Sequence, residues 1–132
     1  MAEAPTTALP PGPLVVDSSC WLEVFASTPR APLYQAAIAQ PEKLLVPVIV
    51  LYEVFKTLRR QRGDAIASAA LAYMEQGRVL VLDAQTSMAA AMNGLPFADS
   101  LIYASAQAHK ATLWTQDAHF DGLAGVHYFP KS

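Results

Sequence analysis

Cysteine is nearly missing: Cys20 is the one thiol in 132 residues. A lone thiol closes no internal disulfide and builds no thiolate metal site, so the chain reads as intracellular, with Cys20 packed in the core. Charge is sparse as well. Asp, Glu, Lys and Arg make up 15% of the residues and the formal net charge is −2. The isoelectric point near 5.8 argues against a general electrostatic nucleic-acid binder, since such domains are usually basic overall. Long hydrophobic runs are absent too. The stretch LLVPVIVLY falls far short of the ~20 apolar residues a membrane span requires. The opening MAEAPTTALPPGP has neither a basic n-region nor an apolar h-region, so we expect a soluble, unexported, cytoplasmic protein with no membrane partner.

What the chain does have is apolar content, 53% of residues, enough for one compact domain with a single buried core. Residues 1–12 form a Pro-rich leader, expected to be flexible or to pack locally, ahead of a domain spanning 13–132. Five short strand-like runs follow: PLVVD (13–17), KLLV (43–46), RVLVLD (78–83), ATLWT (111–115) and GVHYF (125–129). Their continuous hydrophobicity suits parallel strands covered on both faces.

Helical patterns fill the intervals. PVIVLYEVFKTLRRQR opens with Pro47 at a first helical position and stops at Gly63. DAIASAALAYMEQ takes Asp64 as its N-cap and ends at Gly77. TSMAAAMN ends before Gly94, and Pro96 opens the next helix. Strands alternating with helices predict an α/β fold in three layers. A central parallel sheet of about five strands carries helices on both faces, and the ligand crevice lies at the carboxyl ends of the strands.

Four acids sit in apolar surroundings. Asp17 ends the first strand-like run and Asp117 follows the fourth, which brings both to the same sheet edge. Glu53 and Asp99 lie on largely apolar helices. Each has a plain structural account: Asp17 as a helix cap, Glu53 as a partner of Lys56 or Thr57, Asp99 as a helix-dipole acid, Asp117 in an Asx-turn. Together they would place several carboxylates near one another, which is costly without cations and gives reason to expect a divalent metal. The densest basic patch, KTLRRQRG, holds Lys56, Arg59, Arg60 and Arg62 and is either a solvated helix end or a phosphate-binding element.

VVDSSCWLEVF, VPVIVLYEVFKTL, LPFADSLIYASAQAHKATLWTQDAHF and LAGVHYF resemble the successive motifs of the PIN domain. The likeness is greatest to VapC toxin ribonucleases of toxin–antitoxin pairs, and it spans roughly residues 13 to 130. The resemblance implies catalytic acids at Asp17, Glu53, Asp99 and Asp117, with Asp17, Asp99 and Asp117 on the metal. It also implies supporting hydroxyls at Ser18 and Thr115. It implies Mg²⁺ or Mn²⁺, as oxygen ligands favour, and hydrolysis of RNA phosphodiesters to 5′-phosphate and 3′-hydroxyl products. Arg59 or Arg60 would hold a flanking phosphate. A homodimer bound to a VapB-like antitoxin is the implied assembly.

The chain departs from the pattern where the family often has a further acid and QDAHF has His119, read here as a turn residue, with Asp121 as an outside candidate for the site. His109 and His127 have no metal-ligand spacing between them and read as structural. The alternative function is a PIN-fold binding module that has lost catalysis and acts through protein contacts. A phospho-acceptor receiver domain needs adjacent acids after its first strand and a Lys after its last, and LVVDSS and GVHYFPKS do not supply them.

Overall fold

A computed structural model describes residues 7–131; the part of the expected leader at residues 1–6 lies outside the described residues. Five parallel strands form one sheet: β1 (Leu14–Val16), β2 (Leu44–Pro47), β3 (Arg78–Leu80), β4 (Thr112–Thr115) and β5 (Val126–Tyr128). Six α-helices connect them: α1 (Ser18–Phe25), α2 (Ala31–Ile38), α3 (Val48–Arg62), α4 (Asp64–Met74), α5 (Ala84–Met92) and α6 (Phe97–Ala108). The strand order is β3-β2-β1-β4-β5. The expected three-layer α/β fold with a five-stranded parallel sheet is therefore the one observed.

The order locates the crevice. From β1 the chain steps outward through β2 to β3, then returns across the sheet to β4 on the other side of β1. Right-handed crossovers in opposite directions lay helices on opposite faces. The point where direction reverses, between β1 and β4, opens a crevice at the strands' carboxyl ends. Val15 and Val16 pair there with Leu113 and Trp114.

Burial explains the central strands. Val15, Val16, Leu113 and Trp114 are at most 1% exposed, because both sheet faces are covered. Cys20 and Trp21 on α1 pack into the same cluster with Val50, Val54 and Leu58 of α3. Among the described residues no helix is long and apolar enough to cross a membrane.

Several boundaries differ from expectation. RVLVLD forms a strand only to Leu80, and Val81 is 80% exposed, because β3 is an edge strand paired with β2 alone. Pro47 ends β2 instead of opening the helix, and Asp64 is the first residue of α4, with Gly63 at the cap in a positive-φ conformation (φ 90°). Pro96 likewise stands at the cap position, with the helix starting at Phe97. Helix α4 stops at Met74, before Gly77. That glycine is required by close approach: a Cβ would lie 2.8 Å from both the Pro41 carbonyl and Val46 Cγ2.

Candidate active site

Asp17 follows β1 directly and caps α1, its Oδ1 accepting from the Ser18 backbone N–H at 2.9 Å. Its Oδ2 accepts a 2.7 Å hydrogen bond from the buried Thr115 hydroxyl at the end of β4. The expected capping role is real, yet it uses only one of the two oxygens. Burial drives the Asp17 carboxyl up to about 7; the Thr115 and Ser18 hydrogen bonds oppose this, and the charges of Glu53 and Asp99 add to it.

Ser18 donates from its hydroxyl to Glu53 Oε1 at 2.9 Å, which ties α3 to the end of β1. Glu53 is thus held by Ser18, not by Lys56 or Thr57. Asp99 lies in the first turn of α6, where the dipole favours an acid, and it is half-buried. Burial raises its carboxyl above the usual range, and the charges of Asp117 and Glu53 push the same way, against His119. The four acids named from the sequence therefore act on one another electrostatically at one sheet edge.

Asp117 caps the one-turn 3-10 helix Ala118–Phe120: its Oδ1 accepts from the His119 backbone N–H at 2.9 Å. Its own N–H donates to Thr115 Oγ1 at 3.0 Å. Thr115 thereby aims Asp17 and Asp117 at once. The His119 ring completes the arrangement, with Nδ1 at 2.9 Å from Asp99 Oδ2 and 3.0 Å from Asp117 Oδ1. The Asp117 charge, then the Asp99 hydrogen bond, raise the imidazole above its ordinary value.

One ligand atom from each of Asp99, Asp117 and His119 lies within 4.8 Å of the others. Two carboxylates and an imidazole are donors suited to a divalent cation such as Mn²⁺. Asp17 and Glu53 lie outside that trio, but the Glu53 charge acts on Asp99 and the Asp99 charge acts on Asp17. Asp121 is exposed and outside the trio as well. The turn assignment of His119 describes its backbone and gives no account of its ring.

Arg59 pairs with Asp64 at 2.7 Å on the exposed α3–α4 corner, and Arg60 is exposed. His127 stacks on Phe129 with ring centroids 4.1 Å apart, and His109 Nδ1 lies 3.1 Å from the Ser105 carbonyl, as structural roles require. A cavity of about 590 Å³ between α5 and α6 has none of the four acids in its lining.

A second set of polar residues escaped the sequence reading. Gln116, between Thr115 and Asp117, is buried and accepts from Arg30 Nε and the Tyr34 hydroxyl, both at 2.8 Å. Its amide donates to Glu23 Oε2 at 2.8 Å. Arg30 also donates to the Phe129 carbonyl at 3.0 Å. This network fixes the turn after β4 from behind.

The PIN domain family model matches residues 14–126. A toxin–antitoxin complex from Klebsiella pneumoniae has a similar fold, with a TM-score of 0.73, 20% identity, and coverage of 89% of this chain and 98% of that one. VapBC2 from Rickettsia felis, bound to a DNA fragment from its promoter, gives 0.68 at 15% identity over 89% and 98%. The sarcin–ricin loop cleaving toxin VapC20 of Mycobacterium tuberculosis gives 0.65 at 20% identity over 88% of each chain. Comparison with curated proteins finds no match. The matched segment runs from the first residue of β1 to the first of β5 and contains every acid at the sheet edge, and on that match the chain belongs to the PIN domain family.

Proposed function

We propose that this protein is a divalent-metal-dependent endoribonuclease, the toxin of a VapBC-type pair acting in the cytoplasm. The observation that carries the reading is the meeting of Asp99, Asp117 and His119 beside Asp17 and Glu53 at the carboxyl edge of β1 and β4. Asp17, Asp99 and Asp117, with His119, would hold Mg²⁺ or Mn²⁺, which supplies Lewis-acid neutralisation of charge on a phosphodiester.

The chain's own groups do the positioning. Thr115 and the Ser18 N–H fix both oxygens of Asp17, so its direction is set before any ligand arrives. Ser18 holds Glu53 by Oε1 and leaves Oε2 to take a proton from water attacking phosphorus in line. The bond from phosphorus to the 3′-oxygen breaks and that oxygen takes a proton from solvent water, leaving a 5′-phosphate and a 3′-hydroxyl. The antitoxin is a VapB-like protein, as the assemblies of the structural relatives support. Exposed Val81, Met88, Met92 and Phe97 support pairing with a second copy.

The test is cleavage of single-stranded RNA by the purified chain in Mn²⁺ or Mg²⁺ and in chelator. Cleavage only with metal is expected. No cleavage of any RNA with metal would leave the inactive binding module in its place.

A further inference from the structure

Beside the acids lies a groove that no catalytic step uses. Two adjoining cavities of about 300 and 290 Å³ share Ser19, Gln116 and Lys131 in their walls. The first opens at Asp117, within the acid cluster, and the second continues between α1 and α3 as far as Gln61 and Arg62. The face of α3 that borders it follows from helical spacing. Glu53, Thr57 and Gln61 recur every fourth residue, so the helix that brings Glu53 to Ser18 also lines the groove with Thr57 and Gln61. From Glu53 to Gln61 the helix rises about 12 Å, a distance that leads away from the acids in one direction.

The chemistry of the walls suits a polyanion. Arg62 makes no ion pair with any described residue, whereas Arg59 on the same turn is committed to Asp64. Lys131 brings a second cation to the shared part of the groove. Two acids line the walls: Asp117 at the mouth belongs to the acid cluster, and Glu23 already accepts from Gln116 and Thr28 at 2.8 Å each. The Ser19 hydroxyl oxygen is buried on the wall without a well-formed hydrogen bond, a state a native site keeps at a cost unless a ligand completes it.

We propose that this groove binds the sugar–phosphate backbone of the RNA strand flanking the cleaved bond, with Arg62 and Lys131 on phosphate oxygens and the Ser19 hydroxyl and Gln61 amide as neutral donors. The proposal rests on the nuclease reading above and assigns the substrate's path away from the acids. Backbone contacts of this kind position a strand without reading its sequence, as expected for a groove whose walls set Ser, Thr, Gln and two cations beside small and aliphatic side chains and carry no aromatic ring.

The experiment measures binding of a labelled single-stranded RNA by fluorescence anisotropy as a function of salt. The full chain carries Asp99→Asn and is kept in chelator so that the RNA stays intact. Arg62→Gln and Lys131→Gln should each raise Kd about three- to tenfold and lower the salt slope by about 0.7, the value for one phosphate contact on a single strand. Arg78→Gln, on the exposed amino end of edge strand β3, should leave both quantities unchanged. Unchanged binding in Arg62→Gln and Lys131→Gln overturns the groove assignment, and metal-dependent cleavage by wild type in parallel shows that the nuclease reading survives it. Weakened binding with no cleavage by wild type upholds the groove as an RNA site and removes the nuclease. An RNA affinity indifferent to all three changes, with Arg62→Gln instead releasing a co-expressed partner protein, overturns the proposal in favour of a protein occupant.

Discussion

His119 and Asp99, 20 residues apart in sequence, meet through a contact of 2.9 Å between Nδ1 and Oδ2. The ring thereby joins the turn after β4 to the first turn of α6, and it also lies 3.0 Å from Asp117. A protonated imidazole in that place serves the two carboxylates as a counter-charge, and a metal ion would compete with its proton. In chelator the His119 pKa should lie above the ordinary 6.5, in the direction the Asp117 charge imposes. Saturating Mg²⁺ should lower it, and metal affinity should rise with pH as the imidazole loses its proton. Ring NMR shifts followed against pH, with and without Mg²⁺, measure both effects. An imidazole that titrates identically in the two conditions would detach His119 from the metal.

Asp99→Asn should fold and fail to cleave. The amide keeps the shape of the side chain on α6 but loses the charge that attracts a cation. Even groups one step removed from a metal commonly cost 10- to 100-fold on mutation, so loss of a direct ligand should lower kcat/KM by at least about 100-fold. Steady-state cleavage in Mn²⁺ beside a circular dichroism spectrum checks it. Full activity would take Asp99 out of the site.

The central strands were legible because they are continuous apolar runs, and Asp17, Asp99 and Asp117 because each follows a strand or opens a helix beside a punctuating residue. Glu53 was legible as an acid on an apolar helix, but its partner was not. Ser18 lies 35 residues away, and only the topology brings them together. The His119 ring was hidden for the same reason: local sequence sets the Ala118–Phe120 turn, while its meeting with Asp99 depends on where α6 docks. RVLVLD reads as a longer strand because hydrophobicity marks burial and cannot tell a covered strand from an edge whose Val81 faces outward. Arg30, which clamps Gln116 behind the site, carries no motif at all.

The second copy is expected against the β3, α5 and α6 side. Val81, Met88, Met92 and Phe97 are 80%, 62%, 86% and 78% exposed, and large apolar side chains left in water at that density mark a contact surface. Light scattering at micromolar concentration should give twice the 14.2 kDa chain mass. Met92→Glu should shift the equilibrium to monomer by burying an unpaired charge. A wild type that scatters as a monomer removes the dimer.

Asp17 gives a test that needs no substrate. Its folded pKa of about 7 lies above the ordinary carboxyl value of 3.8, so the fold favours the protonated form. Between those two values the native state holds a proton that the unfolded chain has lost. The contribution is therefore complete below about pH 4 and disappears as pH rises through about 7, a change on the order of 4 kcal/mol. Asp17→Asn should flatten that slope. Asn keeps an oxygen for the Ser18 N–H, and its amide can donate to the Thr115 hydroxyl, which has lone pairs for both it and the Asp117 N–H. In chelator at pH 8 the variant should melt at or above wild type, since it removes a buried charge facing Glu53 and Asp99. Millimolar Mg²⁺ or Mn²⁺ should then stabilise wild type by roughly 1–3 kcal/mol if the ion stands tens to a hundred times above its dissociation constant, and should do much less for the variant. A purely capping Asp17 predicts the reverse: a variant no more stable than wild type in chelator, and an equal metal response in both. Thermal melts of the two proteins at pH 5 and 8, in chelator and in Mn²⁺, decide between them.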